Sequence, residues 1–448
     1  MRCLSACTLL LAATAGIAAQ QNPPSLRGFG EVNRIDVVTP AAPELAAFGP
    51  NAVGVRTIEV TDRDRPDILN TKQGAPTARY DRTLTLEVWY PATLGPGRQP
   101  GGEYHTMTRN PAVPATIYGR AVRDAAPLRE TRFPVVIISH GYPGNRYLLS
   151  HLGENLASKG FITVSIDHKD STYDDQKAFA STLYNRSLDQ LFVLGELDRL
   201  GTAGSGSFLS GVADASRTGL VGYSMGGYGV VNAVGGGYSD AAVTGQTAPP
   251  NRLLADRAAS NAAYRAATDP RIKAAIAIAP WGMQAGFWEA EGLKGITTPM
   301  LFVAGSVDEV SGYEKGTRAI YTGAVNADRY LLTFINAGHN AAAPYPAPVE
   351  AMGSPAAAGA SPFTHYADAV WDTTRMNNIL QHFATAYFGL HLKGERDKQA
   401  FFELAPHGKD AVFSVDRDGK PTATHTYWKG FKRGTAVGLV LEHLAPGR

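Results

Sequence analysis

A chain of 448 residues, 44% hydrophobic and 18% charged, is an ordinary globular sequence that can bury a large core. Its formal net charge of +2 supplies no electrostatic reason to invoke nucleic acid or an anionic membrane surface as a partner. Both cysteines, Cys3 and Cys7, fall in an N-terminal segment read as removable, which excludes disulfides, thiolate chemistry and cysteine-ligated metal from the mature chain.

That segment places Arg2 ahead of an apolar run over 4–17 and ends in small residues, Gly16-Ile17-Ala18-Ala19-Gln20. This is the pattern of an export signal cut after Ala18 or Ala19. Residues 1–19 are therefore predicted to be a signal peptide and the mature protein to be periplasmic or extracellular. Leu4-Ser5-Ala6-Cys7 has no apolar run before it, so no lipid anchor is predicted, and no later run is long enough to span a bilayer. Residues 20–53, rich in Pro and Ala, are predicted to form an extended lead-in.

Early strands are predicted over 56–60 and 84–90, separated by a polar loop over 62–82, with an irregular region over 91–130. A parallel-sheet pattern follows. Continuous apolar strands are predicted over 134–139, 161–166, 216–222, 272–279, 299–304 and 330–335. Helices are predicted over 150–159, 181–200, 228–234 and 372–392. This alternation implies one α/β domain over 54–394, a doubly wound, mostly parallel sheet with helices on both faces. Two long insertions interrupt it, at about 235–269 and 341–362. Residues 395–448 form a tail packed on the domain, with a short hairpin predicted from 411–415 and 422–428.

Gly222-Tyr223-Ser224-Met225-Gly226 carries the chemistry. It fits the G-x-S-x-G elbow, in which a sharp strand-to-helix turn exposes a serine hydroxyl above the sheet. A serine hydroxyl is a poor nucleophile unless a base takes its proton and a carboxylate orients that base. In elbow sites the acid and then the histidine follow the serine in chain order. Asp308, just past the strand over 299–304, is the predicted acid, with Glu309 its nearest rival. His339, past the strand ending at Ile335, is the predicted base; His365, His382 and His391 sit in or near the closing helix.

An oxyanion hole needs two N–H donors. Met225, next to the serine, supplies one. The loop His140-Gly141-Tyr142-Pro143-Gly144 supplies the other, and Tyr142 is the natural donor because Pro143 has no N–H. Tyr142 and Trp281 are candidate substrate-binding residues, although Trp281 equally fits lid packing. Asp167-His168-Lys169-Asp170 reads as hydrogen-bonded scaffolding rather than a metal or acid–base cluster.

Several segments resemble known proteins. The loop His140–Gly144, Leu156-Ala157-Ser158-Lys159-Gly160-Phe161 and Ile166-Asp167-His168 resemble the platelet-activating-factor acetylhydrolase-like and dienelactone-hydrolase-like branches of the α/β-hydrolase superfamily. Arg82-Thr83-Leu84 with Val88-Trp89-Tyr90-Pro91 is similar to a strand preceding the core in the acetylhydrolase-like group. The elbow with Gly227, Ala279-Pro280-Trp281, the run from Thr298-Pro299 to Asp308, and Gly338-His339 are similar to the bacterial cutinase and polyester-hydrolase group. In that group the tryptophan would help hold an aromatic or acyl moiety.

There are departures. The acetylhydrolases carry their acid after the strand that follows the elbow, where this chain has Pro280-Trp281, which favours Asp308. Dienelactone hydrolases use a cysteine nucleophile, and the compact cutinases lack an insertion like that at 235–269.

Together these features predict an exported serine esterase of the α/β-hydrolase fold, acting on a small-molecule or polymeric ester. No cofactor, metal or stable membrane anchor is implied. The alternatives are a lipase or cutinase-like polyester hydrolase, an amidase or acyltransferase using the same triad, and a non-catalytic binding protein on a hydrolase scaffold.

Overall fold

Apolar, β-branched segments of this chain assemble side by side into one large sheet. The computed structural model describes residues 32–353 and 361–448, so the expected signal peptide and the first part of the lead-in lie outside the described residues. The strands run, in chain order, β1 (Ala52–Pro66), β2 (Arg79–Thr93), β3 (Gly102–Met107), β4 (Pro114–Gly119), β5 (Val122–Arg123), β6 (Ala126–Pro127), β7 (Phe133–Ser139), β8 (Ile162–Asp167), β9 (Ala213–Tyr223), β10 (Ile272–Ile278), β11 (Met300–Gly305), β12 (Arg329–Phe334) and β13 (Leu439–Leu444). The main sheet has the order β13-β12-β11-β10-β9-β7-β8-β2-β1-β5, with β6 paired to β2, while β3 and β4 form a separate hairpin. From β12 to β8 every neighbouring pair is parallel. Strand β7 lies between β8 and β9, so chain order reverses there. Open α/β sheets place their ligand crevices at the carboxyl ends of strands beside such a point.

Alternation along β7 shows how the sheet is covered. Val136 and Ile138 pack on one face with Leu152 and Leu156 of α1 (Ser150–Ser158) and with Ile379, Leu380 and Phe383 of the closing helix Thr373–Phe388. Val135 and Ile137 pack on the other face with Val193, Leu194 and Leu197 of α2 (Phe179–Gly201) and with Val230 and Val231 of α3 (Met225–Ala233). Helices on both faces explain why the central strands are continuously apolar rather than alternating.

Three segments differ from their sequence-based expectation. The two ends of the polar stretch over 62–82 are strand, and the expected loop is confined to 67–78. β1 and β2 continue as a two-stranded ribbon pairing Thr61 with Thr83 and Arg65 with Tyr80, past a bulge between Asp62 and Arg65. Part of this ribbon is solvated, with an Arg63–Asp81 ion pair across it, so it lacks the apolar alternation that marks strands. The irregular region over 91–130 contains the β3–β4 hairpin. The expected tail contributes β13, which pairs antiparallel with β12 and closes that edge of the sheet. The hairpin expected within the tail is present only loosely: around one isolated bridge, Val415 to Pro421, the Thr422 N–H donates to the Ser414 carbonyl at 3.0 Å and the Thr426 N–H to the Val412 carbonyl at 3.0 Å.

Candidate active site

Ser224 sits in the turn between β9 and α3 with φ 53° and ψ −113°, a backbone conformation that costs energy for any residue with a side chain. The turn is held by close packing. A Cβ on Gly226 would lie 2.0 Å from the carbonyl oxygen of Ser139, and one on Gly222 would lie 2.2 Å from the carbonyl oxygen of Gly226. Only glycine fits at either position. The Ser224 N–H donates to the Ile278 carbonyl at 2.9 Å, and the Trp281 N–H donates to the Ser224 carbonyl at 3.1 Å, which fastens the turn to the end of β10.

Asp308 follows β11 and His339 follows β12, so both reach the site from carboxyl ends of strands. His339 Nδ1 lies 3.0 and 3.1 Å from the two oxygens of Asp308, and its Nε2 lies 2.9 Å from Ser224 Oγ. A carboxylate only accepts, so Nδ1 carries the proton and donates it to Asp308. Nε2 is then the acceptor for the Ser224 hydroxyl. Asp308 Oδ1 also accepts the N–H groups of Val310 and Ser311, each at 2.8 Å. Burial pushes the Asp308 carboxyl up. The hydrogen bond and charge of His339, with the two backbone N–H groups, outweigh it and hold the group below the usual aspartate range. Glu309 is exposed and does not bond His339. Tyr223 packs its ring 5.2 Å from that of His339 and donates its hydroxyl to Asn340 Oδ1 at 2.8 Å, bracing the histidine loop.

The first oxyanion candidate, Met225, is the first residue of α3, where N–H groups have no intrahelical partner and the helix dipole favours negative charge. The second, Tyr142, belongs to a loop held from below. His140 Nδ1–H donates to the Gly141 carbonyl at 2.7 Å, and its Nε2 accepts the His168 N–H at 3.3 Å. Burial, with the charge of Arg186 beside it, keeps His140 neutral, which this donor–acceptor pattern requires. Arg186 donates to the carbonyls of His140 and Gly141. Because the Gly141–Tyr142 peptide is trans, fixing its carbonyl on one side turns the Tyr142 N–H to the other. Neither that N–H nor Met225's has a protein acceptor among the described residues.

A second Ser–His–Asp array lies beneath. Ser139 Oγ is 2.8 Å from His168 Nε2, and His168 Nδ1 is 3.0 Å from Asp189. Arg82 clamps both oxygens of Asp189, at 2.8 and 2.9 Å, and also bonds Asp170 at 3.1 Å. All five side chains are buried, so the array meets no solvent and serves as scaffolding under the loop over 140–144.

Ser224 and His339 open on a cavity of about 740 Å³. Its lining includes Tyr142, Arg109, Asn110 and Pro111 of the β3–β4 turn, Tyr173, Gln176, Glu309, and Pro362, Thr364 and His365 ahead of the closing helix. Tyr173 and His365 share a hydrogen bond of 2.9 Å. Trp281, for which substrate contact and packing were both open, is not in this lining. It is half-buried in an aromatic cluster with Phe179 at 5.4 Å and Phe287 at 5.3 Å. Nor do residues 235–269 line the cavity; they pack behind α3, where Tyr238 stacks on Tyr228 at 5.7 Å. Arg109, Tyr173 and His365 were not identified from sequence. They lie in segments without hydrophobic period or motif, and only the fold brings them to the serine.

Comparison with known proteins adds to this geometry. The family model described as PET hydrolase-like matches residues 118–251, a span that includes Tyr142, Ser224 and Met225 and ends before Asp308 and His339. Cutinase est1 of Thermobifida alba is 26% identical over 214 residues, covering 48% of this chain and 55% of the cutinase. Bis(hydroxyethyl) terephthalate hydrolase of Streptomyces coelicolor is 26% identical over 208 residues, covering 46% of this chain and 50% of that enzyme. The chain thus spans about half the length of the curated relatives it matches. Among solved structures, a ferulic acid esterase from Streptomyces cinnamoneus superposes with a TM-score of 0.53 at 23% identity, covering 79% of this chain and 94% of that one. Strand order, covering helices and this superposition identify the fold as that of the α/β-hydrolases.

Proposed function

We propose that this chain is an exported serine hydrolase of carboxylic esters. The observation that carries the reading is the hydrogen-bonded series Ser224–His339–Asp308, opening on a cavity beside two backbone N–H groups that have no acceptor among the described residues. Ser224 Oγ attacks the ester carbonyl as His339 Nε2 takes its proton, and Asp308 stabilises the imidazolium that forms. The N–H groups of Tyr142 and Met225 bind the developing oxyanion. His339 then protonates the leaving alcohol, and the acyl group stays on Ser224. A water deprotonated by His339 cleaves the acyl-enzyme in the second half-reaction.

The cavity favours an ester small enough to enter between the β3–β4 turn and the segment ahead of the closing helix. Similarity to cutinases and to a terephthalate-ester hydrolase favours a second reading, in which the substrate is a polyester end or its soluble fragment. Export rests on the signal-like pattern of residues 1–19. Among the described residues no helix is long and apolar enough to cross a membrane.

Hydrolysis of 4-nitrophenyl esters from acetyl to palmitoyl, by the mature chain and by Ser224→Ala in parallel, tests both readings. Serine-dependent rates peaking at short acyl chains fit the first, and rates sustained to long chains fit the second. The absence of serine-dependent turnover on any ester refutes both.

A further inference from the structure

The cavity wall carries a cation that pairs with none of the described residues. Arg109 lines the same cavity as Ser224 and His339. Its side chain makes no hydrogen bond or ion pair among the described residues, although Glu309 also lines the cavity. Other arginines of this region are engaged: Arg146 with Asp167, Arg120 with Asp36, Arg123 with Glu87. Nor is Arg109 carried on a loose tip. Thr108, fully buried, donates its hydroxyl to the Asn110 carbonyl at 3.0 Å, and its N–H bonds the Val113 carbonyl at 2.9 Å. Asn145 of the oxyanion side donates to Thr106 at 2.7 Å, tying the hairpin to the core. The guanidinium charge is felt around the cavity, opposing the upward push of burial on Tyr142 and Tyr173 and adding to the downward push of burial on His365.

A guanidinium carried on a braced turn, exposed beside a nucleophile and paired with none of the described residues, can donate its fork of N–H groups to a carboxylate in bidentate fashion. We propose that Arg109 is a specificity-determining residue that selects esters carrying a second, anionic group, a free carboxylate on the same molecule. The inference rests on the serine-hydrolase reading above. A half-ester of a dicarboxylic acid, or an ester whose alcohol bears a carboxylate, then enters with its charge on Arg109 and away from Glu309. Its carbonyl is left for Ser224.

The test compares matched pairs. Mono(4-nitrophenyl) adipate against 4-nitrophenyl hexanoate places the carboxylate on the acyl side; 4-acetoxybenzoate against phenyl acetate places it on the alcohol side. The wild type, Arg109→Ala, Arg109→Lys and Arg109→Glu are assayed for kcat/KM, with Ser224→Ala as background and thermal unfolding as the check on folding. In at least one pair the anionic-to-neutral ratio falls roughly tenfold in Arg109→Ala, mostly through KM, further in Arg109→Glu, and less in Arg109→Lys. Raising the salt concentration narrows the wild-type ratio. A ratio unchanged in both pairs in Arg109→Ala and Arg109→Glu overturns the proposal and leaves the serine-hydrolase reading standing. Loss of serine-dependent turnover on all four esters in the wild type overturns that reading and this proposal with it.

Discussion

Asparagine in place of Asp308 changes one atom, and the surrounding hydrogen bonds determine which. Asp308 Oδ1 accepts the N–H groups of Val310 and Ser311, each at 2.8 Å. In Asp308→Asn those two donors retain the carbonyl oxygen, because an amide nitrogen there would face N–H groups. The NH₂ therefore takes the place of Oδ2, 3.1 Å from His339 Nδ1, while the retained oxygen, 3.0 Å from Nδ1, is already shared by two N–H donors. A proton on Nδ1 would face that NH₂, so the histidine is driven to accept at Nδ1 and carry its proton on Nε2, where it faces Ser224 and cannot take the serine's proton. An enforced wrong tautomer of this kind lowers kcat by about 10⁴, equivalent to about 5.5 kcal/mol in the barrier. The fold is retained, since both backbone donors keep their acceptor. The assay is kcat/KM on the best ester of the 4-nitrophenyl series at pH 7–8, with thermal unfolding in parallel. A folded Asp308→Asn protein within tenfold of the wild type would refute the argument and move the acid role elsewhere, Glu309 being the first candidate.

Other predictions follow from the same contacts. Gly226→Ala would set a Cβ 2.0 Å from the Ser139 oxygen and 2.9 Å from that of His140, both backbone. It should cost about 1–3 kcal/mol or more in unfolding free energy and a large part of kcat, and full stability would contradict the packing of the elbow. Ser139→Ala should retain ester hydrolysis, whereas Ser224→Ala should lose it; the reverse result would assign catalysis to the buried array. Arg82→Met leaves the buried Asp189 carboxylate without its main partner and should cost about 3–5 kcal/mol, read by chemical denaturation. Stability should also fall on acidification. Burial holds His151 and His382 down to about 3, so between that value and the unfolded histidine pKa the folded state binds fewer protons than the unfolded one. At pH 5 each should cost about 2 kcal/mol relative to pH 7, and denaturation midpoints equal at the two pH values would contradict this.

Much of the sheet was legible because its central strands are buried on both faces. Pro134-Val135-Val136-Ile137-Ile138 has no reading as an exposed segment, and β7 lies at the middle of the sheet. The series from Ser224 to Asp308 was legible because elbow chemistry constrains local sequence and chain order together. The cavity was not, because nothing local marks Arg109 or Tyr173 as neighbours of a serine more than fifty residues further along in the chain. The likeness around Pro280-Trp281 drew attention to Trp281, but Phe179 and Phe287 take up its ring and leave it outside the cavity lining. β13 was passed over because a lone amphipathic run at a chain end carries no sign of its partner; Leu439, Val440 and Leu441 become core residues only once β12 lies beside them.

Every proposed step at this site requires Ser224 to be the nucleophile. Treating the folded mature chain with a fluorophosphonate, then mapping the adduct by peptide mass spectrometry while ester hydrolysis is followed, tests that directly. One adduct per chain on Ser224, formed in step with loss of hydrolysis and absent from Ser224→Ala, is the predicted result. Hydrolysis that survives full labelling, or an adduct on Ser139 or any other serine that tracks the loss of activity, would contradict it.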